Sequence, residues 1–168
     1  MSVQPVLDVP VPDPATLFRL DGRVAIVTGA SSGLGDRFGP APAESVSMAE
    51  FRQNIDVNLV GLFALTQQAA QHMLGARSGS IVNVASILGL VAATPIKQAA
   101  YCAAKGAVVN LTRQLGTEWA RKGLRVNAIA PGWFPSEMTV AEMFEDPDGA
   151  RFVQTHAPMG RAGRIDEL

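Results

Sequence analysis

An α/β fold, a parallel sheet with flanking helices, is the class this sequence predicts, and three observations point to it. Residues 24–28 and 81–85 are short β-branched runs that are apolar on both faces, the pattern of strands buried inside a parallel sheet. Two long segments of helical periodicity alternate with such runs, which calls for βαβ crossovers. The 168 residues are 48% hydrophobic, enough for one ordinary core and cramped for two domains.

Turn and cap chemistry sets the elements in order. Residues 1–16 are expected to form an extended arm, because Pro5, Pro10, Pro12 and Pro14 forbid a helix there, and residues 17–168 a single domain. Asp21-Gly22 turns into a first strand at 23–28. Gly29-Ala30-Ser31-Ser32-Gly33-Leu34-Gly35 follows as a glycine-rich turn. Asp36-Arg37-Phe38 then opens a helix that Gly39-Pro40 stops almost at once. Ser47-Met48-Ala49-Glu50 fits the capping box, so a long helix is expected over 47–74. Phe51, Ile55, Leu59, Leu62 and Phe63 recur along it at helical spacing, and Gly75 and Ser78-Gly79 end it.

The second strand is read at 80–85 and a loop at 86–99. The next helix covers 101–121, with Ala104, Val108, Leu111, Leu115 and Trp119 on one side and Lys122-Gly123 as its C-terminal cap. The third strand spans 124–130, and Pro131-Gly132 turns out of it. The remainder is polar and proline-punctuated, with one short helix expected near 140–144.

Composition excludes several classes of function. The net charge of −1 gives no basic footprint for nucleic acid. The single Cys102 excludes an internal disulfide and fits a reducing compartment. His72 and His156 are too far apart in sequence to form a metal-ligand cluster with it. The longest nearly apolar stretch, 87–96, is far shorter than the roughly 20 residues a bilayer span needs. No targeting segment is legible, so a soluble cytoplasmic protein is expected.

Three constellations carry chemistry. In the turn from Gly29 to Gly35, glycines let the backbone approach a phosphate, and the following helix N-terminus offers free N–H groups. Its spacing is G-x-x-x-G-x-G rather than G-x-G-x-x-G. Tyr101 is the only tyrosine, and Lys105 lies four residues on, so a helix puts both on one face. An ammonium there favours phenolate and lets the tyrosine exchange protons near neutral pH; alone, the pair reads equally as a packed ring beside a solvated lysine. Ser86 directly follows the strand at 81–85, where parallel sheets bind ligands, and otherwise reads as a hydroxyl capping its own turn.

Taken together these residues resemble the classical short-chain dehydrogenases/reductases. Thr28 to Gly35 is similar to that family's T-G-x-x-x-G-x-G cofactor turn, which assigns cofactor contacts to Gly29, Ser31, Ser32, Gly33, Leu34 and Gly35. Asn58 resembles its helical asparagine; Ser86, Tyr101 and Lys105 resemble its serine, tyrosine and lysine. Asn127-Ala128-Ile129-Ala130-Pro131-Gly132 is similar to its N-x-x-x-P-G segment, and Ser136 falls where the family has a threonine on the nicotinamide amide. The resemblance implies a Rossmann-like sheet and hydride transfer between NAD or NADP and a secondary alcohol or ketone. It implies that Tyr101 moves the hydroxyl proton, and that Lys105 lowers its pKa and holds the nicotinamide ribose. Ser86 would bind the substrate oxygen, and Asn58 would anchor a water. Ser32, where NADP-preferring relatives often place a basic residue, points to NAD. The family also implies a homo-oligomer through the helices at 47–74 and 101–121, which the low charged content of 17% favours.

Between its glycine turn and its helical asparagine the family carries roughly 65 residues of helices and strands at typical element lengths, whereas here Phe38 runs almost straight into Gly39-Pro40. The N-N-A-G motif, the adenine pocket and the cofactor-selecting strand end are absent, and the chain stops before the family's last strand. Asp56, 21 residues after Gly35, falls in a helix and is rejected as a ribose-binding acid. A shortened member with a reduced sheet is therefore expected, one that folds marginally and binds NAD(H) weakly. Two rival readings stand beside it. One is a non-catalytic remnant that only associates with other subunits. The other is a serine esterase, since Gly29 to Gly33 also fits G-x-S-x-G around Ser31, with Asp146 or Asp148 and His156 following in order.

Overall fold

A computed structural model describes residues 41–92, 97–135 and 146–168. The expected arm, first strand, glycine turn and 140–144 helix lie outside the described residues.

The first long helix begins where the capping box puts it. Ser47 Oγ accepts from the Glu50 N–H at 3.2 Å, and Glu50 Oε2 accepts from the Ser47 N–H at 2.9 Å. Helix α1 runs Met48–Ile55, a π-helical turn follows at Asp56–Val60, and helix α2 continues over Gly61–Ala76. Gly75 does not end it, as its composition suggested, because a lone glycine costs a helix only about 1 kcal/mol. The stop is Arg77 in the left-handed region at φ 51°, with its N–H on Leu74 O and the Ser78 N–H on Met73 O. That pair of bonds is the Schellman arrangement that satisfies terminal carbonyls. Phe63, expected in the apolar stripe, is instead exposed. The buried positions of this helical run are Asn54, Thr66 and Ala70.

Strand β1 spans Gly79–Val84, and helix α3 spans Ala99–Trp119. Gly123, at φ 89°, caps the short 3-10 turn Ala120–Lys122 that follows α3. Only glycine fits there, since a Cβ would overlap the Arg77 carbonyl. Strand β2 spans Leu124–Ile129 and pairs parallel with β1, from Gly79↔Leu124 to Val84↔Ile129. The reduced parallel α/β fold is therefore present. Helix α4, Pro147–His156, has no counterpart among the expected elements, although Asp146 as N-cap and proline at its first position are start signals.

One face of the sheet carries the core. Ala70 of α2, Leu115 and Trp119 of α3 and Leu124 of β2 are buried together, with Met73, Leu74, Ile81, Leu111 and Val126 packed against them. Both helices thus lie on the face that Ile81, Leu124 and Val126 present. On the opposite face Val82 is 54% exposed and Ile129 40%. Among the described residues, no helix is long and apolar enough to cross a membrane.

Candidate active site

The site sits at the carboxyl ends of the two strands. The ladder continues past them, with the Ala85 N–H on Ile129 O at 2.8 Å and the Ile87 N–H on Pro131 O at 3.0 Å. Those bonds bring Ser86 beside Pro131-Gly132, as parallel pairing requires. Ser86 is buried and extended, and its Oγ accepts from the Leu88 N–H at 3.2 Å, capping the 3-10 turn Ile87–Gly89. The bond uses one acceptor lone pair and leaves the hydroxyl able to donate.

Helix α3 delivers Tyr101 and Lys105. The Lys105 ammonium lies 5.6 Å from the centre of the Tyr101 ring and donates to Val84 O at 3.0 Å. An ammonium at that distance is attracted by the ring face. Burial pushes its pKa below the ordinary lysine value. The turn after Ser86 abuts the same helix, since a Cβ on Gly89 would stand 2.6 Å from the Lys105 carbonyl. Ser86, Lys105, Tyr101 and Pro131 are therefore gathered at one strand end.

Asn58 occupies the π-turn, a widening that is frequent at functional sites. Its amide donates to Asn54 O at 3.1 Å and to Asn54 Oδ1 at 3.2 Å. The π-turn packs against α3, the helix of Tyr101 and Lys105. Gly132 is exposed, and no described residue stands within 4 Å of where a Cβ would point. Gly29, Ser31, Ser32, Gly33, Leu34, Gly35 and Ser136 lie outside the described residues.

Sequence reasoning missed the Val84 carbonyl that receives Lys105. It also missed a buried pair below it: Asn83 Nδ2 donates to Thr112 Oγ1 at 2.9 Å. The available signal was two polar residues on otherwise apolar faces. Beside the site, a groove of about 560 Å³ is lined by Pro42, Glu44, Leu88, Val91, Lys97 and Cys102. Burial pushes the Cys102 thiol up, away from the thiolate a nucleophile needs. Among the described residues, no group of three or more His, Cys, Asp or Glu side chains is placed to hold a metal.

The acid–histidine half of the esterase reading fails. Asp146 caps α4 by accepting from the Gly149 N–H at 2.7 Å, and His156 ends the same helix, stacked on Phe152. At 1.5 Å per residue, Asp146 or Asp148 stands roughly 12–15 Å from His156 along the axis, too far for a triad.

A parallel α/β sheet with a strand-end serine and a tyrosine–lysine pair on one helix face defines a Rossmann-like class of protein. The family model described as Enoyl-(Acyl carrier protein) reductase matches residues 17–168, and the chain belongs to this branch of the short-chain dehydrogenases/reductases. It is 37% identical over 128 residues to a gluconate 5-dehydrogenase of Gluconobacter oxydans, covering 76% of this chain and 49% of that one. Among solved structures it resembles a gluconate 5-dehydrogenase from Burkholderia cenocepacia in complex with NADP and tartrate. There the TM-score is 0.72 at 33% identity, over 78% of this chain and 51% of that one. It also resembles a 4-hydroxyisoleucine dehydrogenase complexed with NADH, with TM-score 0.71 at 32% identity, over 77% of this chain and 52% of that one. The chain spans about half the length of the curated relatives it matches.

Proposed function

We propose that residues 17–168 act as a single catalytic domain for NAD(P)-dependent oxidoreduction of a small secondary alcohol or ketone, behind an arm at 1–16. The observation that carries this reading is Lys105, held at the end of β1 with its ammonium beside the Tyr101 ring. In it, Tyr101 passes the hydroxyl proton at its phenolic oxygen. Lys105 favours the phenolate and orders a ribose, and Ser86 donates to the substrate oxygen. Asn58 anchors a water in the proton relay.

The donor set fits the nicotinamide end of such a cofactor. Lys105 has three N–H donors and spends one on Val84 O, which leaves two for ribose hydroxyls. Gly132 leaves room at the strand end for the ring, and Ser136 and the turn holding Gly29, Ser31, Ser32, Gly33, Leu34 and Gly35 complete the assignment. The bound cofactor supplies or takes the hydride. Ser32 in that turn favours NAD over NADP. One solved relative carries NADP and another NADH.

The test is Tyr101→Phe, which keeps the ring and loses the transferable proton. Turnover of a sugar alcohol with NAD is expected to vanish while calorimetric NADH binding survives. Retained turnover would remove Tyr101 from the role.

A second reading is an association-only member. The exposure of Val82 and Ile129 on the face that the described helices do not cover favours it. Calorimetric titration separates the two, since that member binds no NADH. Both readings include self-association through the long helices. Val57, Val60, Phe63 and Leu65 are exposed apolar residues on the first of them. A dimer or larger species is expected by light scattering, and a monomer at micromolar concentration would count against those helix faces.

A further inference from the structure

Between the strand that leads to Ser86 and the helix that carries Tyr101 and Lys105 lies a buried side-chain pair, beside the Lys105 bond to Val84 O. Asn83 is 3% exposed and Thr112 is 7% exposed. Asn83 Nδ2 donates to Thr112 Oγ1 at 2.9 Å, and Thr112 Oγ1 donates to Val108 O at 2.8 Å. Asn83 immediately precedes Val84, whose carbonyl takes the Lys105 ammonium. Thr112 lies seven residues after Lys105, about two helical turns, so it belongs to the same side of α3.

Apolar packing of α3 on the sheet is non-directional and tolerates a slide along the helix axis. A buried hydrogen bond does not, because a slide takes Thr112 away from the buried Asn83 amide and leaves that donor unpaired, while Thr112 keeps its own bond to Val108 O. At the other end of the contact the backbone at Gly89 closes on Lys105. We propose that the Asn83–Thr112 hydrogen bond is a positioning device that sets the axial register of α3 on β1 and so holds Lys105 on the Val84 carbonyl beside Tyr101. Asn83 and Thr112 are positioning residues, and the assignment rests on the reading of Lys105 and Tyr101 given above.

The experiment needs no turnover. The whole chain is treated with an amine acylating reagent, and peptide mass spectrometry follows Lys105 against the exposed Lys122. Thr112→Val keeps the side-chain shape and loses the hydroxyl; Asn83→Thr removes the amide from the other side. In both, Lys105 acylation relative to Lys122 is expected to rise roughly fivefold, the factor one typical buried hydrogen bond contributes to an equilibrium. Thr112→Ser keeps the oxygen and is expected to retain the parent rate. Should Thr112→Val fail to fold, Asn83→Thr and Thr112→Ser carry the comparison.

Because Tyr101 is the only tyrosine, tyrosinate absorbance reads its ionisation in the same samples. Its midpoint is expected below the ordinary value of about 10 in the parent chain and nearer to it in Thr112→Val. Unchanged Lys105 acylation in Thr112→Val and Asn83→Thr overturns the positioning role, whatever the tyrosine does. Raised acylation with Tyr101 already at its ordinary value in the parent upholds the positioning role and overturns the tyrosine–lysine reading instead.

Discussion

The two faces of the β1–β2 sheet are built from similar side chains and meet opposite surroundings. On one face Leu124 is 2% exposed, and Ala104 and Val108 of α3 lie fully buried over the sheet. On the other, Val82 and Ile129 are as apolar as Ile81 and Val126 yet stand 54% and 40% exposed. Strands that are apolar on both faces belong in a sheet covered on both sides. The difference teaches that the described residues supply cover for one side, and that the composition of β1 reflects a face these helices do not reach. The site lies at the strand ends on the covered side, where Lys105 reaches Val84 O.

Mutations can break or sharpen that contrast. Leu124→Ala opens a cavity in the shared core of α2, α3 and β2 and is expected to lower stability by about 2–5 kcal/mol in urea unfolding. A loss under about 1 kcal/mol there would show that the covered face is loosely packed. Gly89→Ala places a methyl 2.6 Å from the Lys105 backbone. It is expected to cost about 1–3 kcal/mol through displaced backbone, seen as a lower melting midpoint.

Ser47→Ala breaks the capping box, which touches neither face. About 1 kcal/mol of destabilisation is expected, and a much larger loss would mean the start of α1 is coupled to the core.

Lys105→Met tests a charge held against the covered face. Burial lowers the lysine pKa in the folded chain, so the unfolded chain binds more protons between that lowered value and about 10.4. Parent stability should therefore gain as pH rises through that window, and Lys105→Met should lack the gain. Parallel pH curves from chemical denaturation would show that Lys105 is solvated.

Val82→Ser is the control on the open face, expected within about 0.5 kcal/mol of the parent. A loss comparable with Leu124→Ala would mean that the open face is covered in solution.

Local chemistry was legible. The capping box at Ser47 and Glu50 needs only neighbours in sequence, and so does the glycine cap at Gly123. The parallel pairing of β1 with β2 followed from apolar runs separated by a long helix. Helix ends were less legible: Gly75 looked like a stop, while Arg77 is the residue in the left-handed conformation, held by bonds to Leu74 and Met73. Helix α4 is hard to read because a polar, proline-punctuated segment hides the Asp146-Pro147 start signal. At the site, the i, i+4 spacing alone puts Tyr101 and Lys105 on one helix face, and strand limits alone put Ser86 and Pro131 at strand ends.

By itself the sequence determined the α/β class, the family and the elements that carry the site, because each depends on residues within a few turns of one another or on motif order along the chain. Only the tertiary structure decided what the site residues touch. That Lys105 meets the Val84 carbonyl and that Asn83 finds Thr112 depend on where α3 sits along β1. The physical reason is that apolar periodicity specifies which face of a helix is buried but not its position along the axis. That position is set by directional bonds between residues such as Asn83 and Thr112, which lie 29 apart in the chain.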